Sequence, residues 1–421
     1  MEHELPLCFL AVRSEREELK YGSKAHGRNV TPRYPDFRVF PLSQRHTLGL
    51  IFGSKLIATG SPTAHAGELD RFSAAPPLDQ VDPLFDERWP EFLRRHPQAS
   101  VFHSRGWLNA LQDTYGYKPV AFTSTLPGQP LRDAAVFCEV KSWLVRPRLV
   151  SLPFSDHTEL LLSATQELAA LLSHLANGVR EGRWTSVEFR PPGYWGPWPG
   201  FSDGPQFIVH RLNLEPSLEF LFAGFNKDST QRKIRRAMRE QLKYEEGRSE
   251  ELLRQFFRLV VLTRRRKALP PPPLAWFRNV VKNLGEDAKI RIARTNRGEL
   301  AGGILTLAYK DKMLFKYGAS DARFHNLGTM PFLLWQAIQD AKARGASTFD
   351  FGRSDIAHRG LIRFKDHFGA EQTPLVHKAF PPDSWEPGPY NWKMKAATRI
   401  FGMLPDSALT LAGRLIYPHI G

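Results

Sequence analysis

From about residue 80 onward the apolar positions follow two periods, and they alternate along the chain. Short runs with every second residue apolar, or apolar throughout, predict strands: PVAFTST, DAAVFCEVKSW, PRLVSLPF, WTSVEFRP and QFIVHRLNL. Between them, apolar residues at i, i+3 and i+4 predict helices. DERWPEFLRRHP is one, SRGWLNALQDTYGY is a second with Ser104 as its cap, and SATQELAALLSHLANGVREG is a third. A second set of elements follows. NKDSTQRKIRRAMREQ is a basic helix and LKYEEGRS a strand. EELLRQFFRLVVLTRRRK is a helix that must stop before Pro270, and LAWFRNVVKNLG is a helix ending at Gly285. Three strands follow in succession: AKIRIARTN, LAGGILTLAYKD and KMLFKYGASD. TMPFLLWQAIQDAKARG is a helix with Thr329 as expected cap and Pro331 in its first turn. STFDFGRS, GLIRFKDHFG and TPLVHKAF complete the pattern as strand, short helix and strand. The alternation predicts an α/β chain with mixed sheets, and the length of 421 residues calls for more than one domain.

Residues 1–78 lack either period and are expected to form a poorly ordered or irregular extension. Within it HTLGLIFGSKLIATG reads as a short hairpin, and GSPTAHAGELDRFSAAPPLDQVDP as a linker. The expected units are then 79–215, 216–385 and a helical tail, 386–421.

Composition narrows the partners. The formal charge is +15, which favours anionic ones: nucleic acid, acidic lipid, or a phosphorylated carrier or donor. Cys8 and Cys138 make neither a zinc pattern nor a disulfide framework, so no metal is expected and a reducing compartment is. No run approaches the ~18 apolar residues of a spanning helix, and the N-terminus lacks a secretory pattern. A cytoplasmic protein, peripheral at most to the inner face of a membrane, is the simplest expectation.

The order of elements in the second unit matches the acyltransferase fold of the GNAT superfamily. The motifs of the last third are more specific. YGASDARFHNLGTMPFLLWQAIQDAKARGASTFDFGRSDIAHRGLIRFKDHFGAE resembles the Fem-type (FemAB-like) peptidyltransferases and their acetyltransferase-like relatives. FHSRGWLNAL, LVSLPFSDH, STQRKIRRAMR and the tail RIFGMLPDSALTLAGRLIYPHIG are similar to the relatives found in exosortase and exopolysaccharide gene sets. The resemblance covers roughly residues 85–421. It implies two tandem GNAT-like domains with a cleft at the second. It also implies an acyl or aminoacyl donor, a lipid- or nucleotide-linked sugar acceptor, and a Phe-Lys pair at the reacting centre. That pair falls on Phe364 and Lys365. The donor stays open between acetyl-CoA or another acyl-CoA and aminoacyl-tRNA. No sustained heptads mark the coiled-coil insertion of many tRNA-dependent members. RFHNLGTM carries a single glycine, Gly328, where coenzyme A binders usually have a richer loop.

Acyl transfer to an amine passes through a tetrahedral oxyanion, which a preset cation stabilises. Spacing alone favours a solvated lysine on an exposed face; the resemblance reverses that, and Lys365 would then serve, with Phe364 shaping the site. STFDFGRSDIAHRG brings Asp350, Arg353, Ser354, Asp355 and His358 to one strand end. There Asp350 or Asp355 would orient the acceptor amine and His358 relay a proton, or Asp350 and Arg353 would form a structural ion pair. Tyr317 and Gly318 end the preceding strand and would line the same cleft. The splayed central strands of GNAT folds leave backbone N–H groups there for the acyl donor. Ser155, Asp156 and His157 are consecutive and do not make a hydrolase triad; the resemblance places Phe154 and Asp156 at the inter-domain cleft, a capped loop being the alternative.

Arg232, Lys233, Arg235 and Arg236, with the helix start at Thr329, are candidate phosphate ligands. No interleaved aromatics suggest base reading, so sequence-specific DNA binding is not expected. The C-terminal KMKAATRIFGMLPDSALTLAGRLIY fits either packing on the domain or a membrane interface. The expected function is N-acyl or aminoacyl transfer to an amine of a cell-envelope or exopolysaccharide precursor. The alternative is a non-catalytic protein that holds an anionic glycan or lipid-linked precursor.

Overall fold

Strand and helix alternate as the apolar periods require, and the strands share one mixed sheet. The computed structural model describes residues 78–142, 146–384 and 400–420. Apart from Leu78, the expected N-terminal extension and its hairpin lie outside them. The strands are β1 (Asp79–Val81), β2 (Lys118–Thr123), β3 (Ala135–Val140), β4 (Arg148–Val150), β5 (Val187–Phe189), β6 (Ser202–Asn213), β7 (Lys243–Gly247), β8 (Ala288–Arg294), β9 (Leu300–Tyr309), β10 (Lys312–Ser320), β11 (Thr348–Asp355) and β12 (Glu371–Phe380). The helices are α1 (Trp89–Arg95), α2 (Arg105–Tyr115), α3 (Thr165–Arg180), α4 (Leu218–Gly224), α5 (Arg232–Arg239), α6 (Glu250–Arg266), α7 (Leu274–Leu284), α8 (Thr329–Ala343), α9 (Arg359–Asp366) and α10 (Asp406–Ile416).

The sheet has twelve strands in the order β1-β2-β3-β4-β5-β12-β6-β11-β10-β9-β8-β7. Its two halves repeat one plan. From each outer edge inward the pairs are antiparallel until β4 meets β5, or β10 meets β11, in parallel. An antiparallel strand then closes each half, β12 on β5 and β6 on β11. These two closing strands are exchanged. β6 follows β5 in the chain yet completes the later half, and β12 follows β11 yet completes the earlier one. Their mutual antiparallel pairing makes the halves one continuous sheet.

Side chains alternate across the sheet as a period of two demands. Leu305 and Leu307 pack under α2, α6 and α7, whereas Ile304, Met313, Phe349 and Phe351 pack under α5 and α8. A third apolar cluster forms between α3 and the earlier strands. Ser104 caps α2 as expected, accepting from the Trp107 N–H at 3.3 Å. Three local expectations change. Asp79–Val81, at the end of the supposed linker, pairs with β2 as an edge strand. The basic helix opens with a π turn, Lys227–Gln231, capped by Asn226. The cap of α8 is Gly328 at φ +78°, not Thr329. The backbone of α5 approaches so closely that a Cβ at position 328 would meet the Lys233 carbonyl. Glycine alone fits there.

Candidate active site

β10 and β11 pair over only three registers, ending at Leu314 opposite Asp350. Beyond that point they part. β10 slips register against β9 between Phe315 and Tyr317, and β11 slips against β6 between Asp350 and Arg353. Backbone groups released from a ladder need other partners. Gly352 stands at the fork with φ +70°, a left-handed conformation that favours glycine. Its N–H donates to Asp350 Oδ1 at 2.6 Å. Its carbonyl accepts from Lys365 Nζ at 2.8 Å, and the Arg353 carbonyl accepts from the same ammonium at 3.1 Å.

Lys365 reaches the fork from α9, which follows β11 through a turn closed by the Ala357 N–H on Asp355 Oδ1 at 2.7 Å. The lysine is 2% exposed, so it is not the solvated lysine that spacing alone allowed. Burial pulls its pKa down to about 8 against the opposing pull of Asp156 and Asp350. Among the described residues it forms no ion pair; two carbonyls are its hydrogen-bond partners. Phe364 packs edge-on against Phe368, 5.5 Å between centroids, and Phe368 is fully buried against Phe225 and Phe351. The pair is therefore divided: the phenyl ring anchors α9 and the ammonium enters the fork.

The loop after β4 supplies the facing wall. Leu152 and Phe154 both have left-handed backbone, at φ +56° and +60°. Ser155 Oγ holds the turn by donating to the Leu152 carbonyl at 2.6 Å. Asp156 Oδ2 accepts from Lys316 Nζ at 2.6 Å. A Cβ on Gly352 would stand 3.1 Å from Asp156 Oδ1, so this carboxylate borders the fork directly. Lys316 is buried, which lowers its pKa, and its ammonium lies over the rings of Tyr317, Phe102 and Trp107 at 5.1–5.5 Å. Tyr317 accepts from Trp276 Nε1 at 2.9 Å. Phe154 packs near Tyr115, Trp276 and Tyr417, with centroids 4.9–5.7 Å apart. The buried Tyr115 hydroxyl has no partner among the described residues.

Behind the fork lies a buried group of charges. His157 Nε2 is 3.1 Å from Asp350 Oδ2, and His157 Nδ1 makes an ionic contact of 3.0 Å with Glu159. Arg211 donates to Asp350 Oδ2 at 3.1 Å and to Glu159 Oε1 at 3.3 Å. Burial alone would depress the His157 pKa, but the two carboxylates outweigh it and hold the imidazolium to about 9. Burial likewise opposes ionisation of Asp350, yet His157 and Arg211 keep it well below the usual carboxylate range. Asp350 is thus an ionised acceptor with its oxygens occupied.

The other candidates separate. Arg353 does not pair with Asp350: its guanidinium meets His377 at 3.0 Å and lies over the Phe207 ring at 4.6 Å. The Ser354 hydroxyl is buried without a partner among the described residues. Gly318 is packed so tightly that a Cβ would meet Phe315 at 2.7 Å and Met330 at 2.9 Å. His358 caps α9 through its backbone, partly exposed, and none of the hydrogen bonds joining the fork involves its side chain. On α5, Arg232 and Lys233 are exposed, Arg235 bonds Gln231 and Arg236 pairs with Glu240. Thr329 is buried with its methyl against Gly302, so its side chain is not the exposed phosphate ligand expected. Among the described residues no group of three or more His, Cys, Asp or Glu is placed to hold a metal ion.

Sequence reasoning passed over Lys316, Arg211 and Glu159. One signal was present: Lys316 interrupts the apolar run Leu314, Phe315, Tyr317 in a strand whose neighbours are core. Arg211 carried none, because its partners Asp350 and Glu159 lie 139 and 52 residues away in sequence. Glu159 stands two residues from His157, and nothing in that local spacing tells an ionic contact from a solvated glutamate.

Comparison with known proteins agrees with this geometry. Residues 227–365 match the family model of the acetyltransferase (GNAT) domain. That span begins at the π turn and ends on Lys365. The chain is similar to the crystal structure of FemX, with 15% identity, 68% of this chain and 94% of that one covered, and a TM-score of 0.55. Weaker likenesses join it to a tandem GNAT protein from the clavulanic acid biosynthesis pathway (13% identity, 72% and 98% covered, TM-score 0.46) and to L-PGS from Bacillus licheniformis (14%, 75% and 97%, TM-score 0.44). No curated protein matches the sequence. The chain has the GNAT acyltransferase fold, in the arrangement seen in FemX.

Proposed function

We propose that the protein transfers an acyl or aminoacyl group from an anionic donor to an amine of a cell-envelope or exopolysaccharide precursor. The observation that carries this reading is the Lys365 ammonium, buried at the fork of β10 and β11 with carbonyl partners and in no direct ion pair among the described residues. A cation held that way has charge to give to an anion that forms beside it.

In the proposed step the acceptor nitrogen attacks the donor carbonyl carbon, and the carbonyl π pair moves onto oxygen. Lys365 stabilises that oxyanion. Collapse expels the thiolate of coenzyme A or the ribose hydroxyl of a charged tRNA, and the nitrogen gives up a proton. Asp156 is the carboxylate best supported as its acceptor, since Oδ1 borders Gly352 while Oδ2 is held by Lys316. Asp350 is better suited to positioning, because its oxygens already serve His157, Arg211 and the Gly352 N–H. His358 stands outside these hydrogen bonds, so a relay through it would need a substrate or water between. Arg232 and Lys233, exposed where α5 meets Gly328, favour an anionic donor entering over the start of α8. Phe154, Tyr317 and the unpartnered Ser354 hydroxyl would line the acceptor side.

Thermal-shift titration with acetyl-CoA, a longer acyl-CoA and charged tRNA tests the reading, followed by transfer assays with nucleotide- and lipid-linked amino sugars. Stabilisation by one donor and turnover lost in Lys365→Ala is the expected result. Tight acceptor binding with no turnover on any donor would favour a holding protein instead.

A further inference from the structure

The C-terminal segment presents two faces. Through one it is packed: Leu409 and Gly413 of α10 are buried, and a Cβ at Gly413 would run into the Pro271 carbonyl. Tyr417 is buried beyond them against Phe154, with ring centroids 5.7 Å apart. Through the other it is bare. Ile400, Met403, Leu411 and Leu415 are 57%, 81%, 53% and 63% exposed. Elsewhere in the described chain exposed large apolar residues occur singly or at most two at a time, as in Tyr194 and Trp195, which is ordinary. Four within sixteen residues are more than a scatter: Leu411 and Leu415, one helical turn apart, make an exposed face of α10, and Ile400 and Met403 are bare just before Pro405.

Beside that face runs an open groove of about 700 Å³ between α10, α6 and the turn before α8. Arg258, Arg323 and Arg414 line it, with Ser407 and Thr410 between them. Asp321 and Asp406 also line it, but they are engaged by Arg323 and Arg265 at 2.8 Å each. Arg258 and Arg414 have no carboxylate partner among the described residues. Apolar side chains flanked by arginines and hydroxyls match the chemistry of the acyl–headgroup boundary of a membrane. The charge selects among occupants. A second copy of this chain would bring its own surplus of +15 against the same arginines, whereas an anionic headgroup layer neutralises them.

The geometry points to the exposed face of residues 400–415, with its arginine groove, as a docking surface for an anionic lipid bilayer. Leu411, Leu415, Met403 and Ile400 enter the acyl boundary, and Arg258 and Arg414 meet lipid phosphates. The surface lies outside the fork and stands whether or not the transfer reading holds. It explains how the tail is both packed and interfacial, the two options that its sequence left open.

The test is co-sedimentation of the full chain with vesicles of phosphatidylcholine alone and with a phosphatidylglycerol fraction, across a salt series. The expected result is partition that requires phosphatidylglycerol and weakens with salt. It should fall about tenfold or more in Leu411→Glu/Leu415→Glu, and by a smaller factor with a shallower salt slope in Arg258→Gln/Arg414→Gln. Both variants should keep the parent thermal midpoint, and Leu411→Ser/Leu415→Ser provides the same comparison if the glutamates perturb folding. Three outcomes overturn the proposal. One is equal sedimentation with or without phosphatidylglycerol. Another is partition that none of the variants changes. The third is a lack of vesicle partition, whether with a concentration-dependent dimer that the leucine variants dissolve or with saturable binding of soluble glycerol phosphate in its place.

Discussion

Lys365 Nζ and the Gly352 carbonyl are joined at 2.8 Å across the point where β10 and β11 part. The lysine does there what the missing neighbouring strand would otherwise do, and a second bond to Arg353 shares the same ammonium. Parallel strands that separate leave polar backbone exposed to whatever occupies the gap. The protein fills part of that gap with a charge. The contact therefore ties the strand geometry to the proposed chemistry.

Removing that charge should separate activity from folding. Lys365→Ala is expected to lower the transfer rate by about 10²–10³, the usual cost of one oxyanion donor. Loss of two buried hydrogen bonds should cost about 1–3 kcal/mol of stability, offset in part because a desolvated charge is also removed. Lys365→Arg should restore little, since a planar guanidinium does not fit a point-charge position between two carbonyls. Initial rates beside denaturant melts check this, and a folded Lys365→Ala with full activity refutes the catalytic role.

The same lysine sets an upper pH limit. Its pKa is pulled from 10.5 to about 8, so the ammonium is present below pH 8 and is lost above it. The rate of the chemical step should therefore fall as pH rises through about 8, in single-turnover assays with the donor pre-bound. A plateau extending to pH 10 would mean that charge on Lys365 is not required.

Much of the fold was legible because the apolar periods were clean. α2, α3, α6 and α7, and the strands β8 to β10, stand where their patterns placed them. The exchange of β6 and β12 was not legible, since nothing in either strand's own pattern says which half it completes. The cap of α8 was misassigned for a related reason: Thr329 has capping chemistry, but the close passage of Lys233 demands glycine one residue earlier. At the site, Phe364 and Lys365 came from a motif resemblance, and their different surroundings come only from packing. The ion pair between Asp350 and Arg353, one of the two alternatives for that strand end, does not form, because each side chain has a partner contributed by another strand, Arg211 of β6 and His377 of β12. Long-range partners of that kind leave no trace in local spacing.

Stability should carry the mark of His157. Its pKa is raised from 6.5 to about 9, so the folded state binds a proton more tightly than the unfolded one. The resulting stabilisation is fully present below pH 6.5 and is lost as pH rises through about 9. Lys365 contributes with the opposite sign: its depressed pKa makes its share of stability rise with pH between about 8 and 10.5. Urea melts of the parent and His157→Gln at intervals from pH 6 to 9 separate the two. The variant should be less stable at pH 6, and the gap should narrow toward pH 9. A gap that widens with pH would contradict the raised pKa.

Gly352→Ala offers the sharpest test of the fork itself. Left-handed backbone costs a non-glycine residue roughly 1–2 kcal/mol wherever it occurs, so a loss of stability alone would say little about the site. Gly345 supplies the comparison: its φ is +77° and a Cβ there meets nothing within 4 Å. At Gly352, where φ is +70°, the added carbon stands 3.1 Å from Asp156 Oδ1 and 3.4 Å from the Phe315 carbonyl. To make room, Asp156 must shift away from Lys316, or the Gly352 peptide must turn and withdraw its carbonyl from Lys365. Either movement disturbs a group assigned to the reaction. Both substitutions should therefore lower the thermal midpoint, Gly352→Ala by more, while Gly352→Ala alone lowers the transfer rate by about tenfold or more. Equal activity in the two variants would show that the contact between Gly352 and Asp156 does not shape the reacting centre.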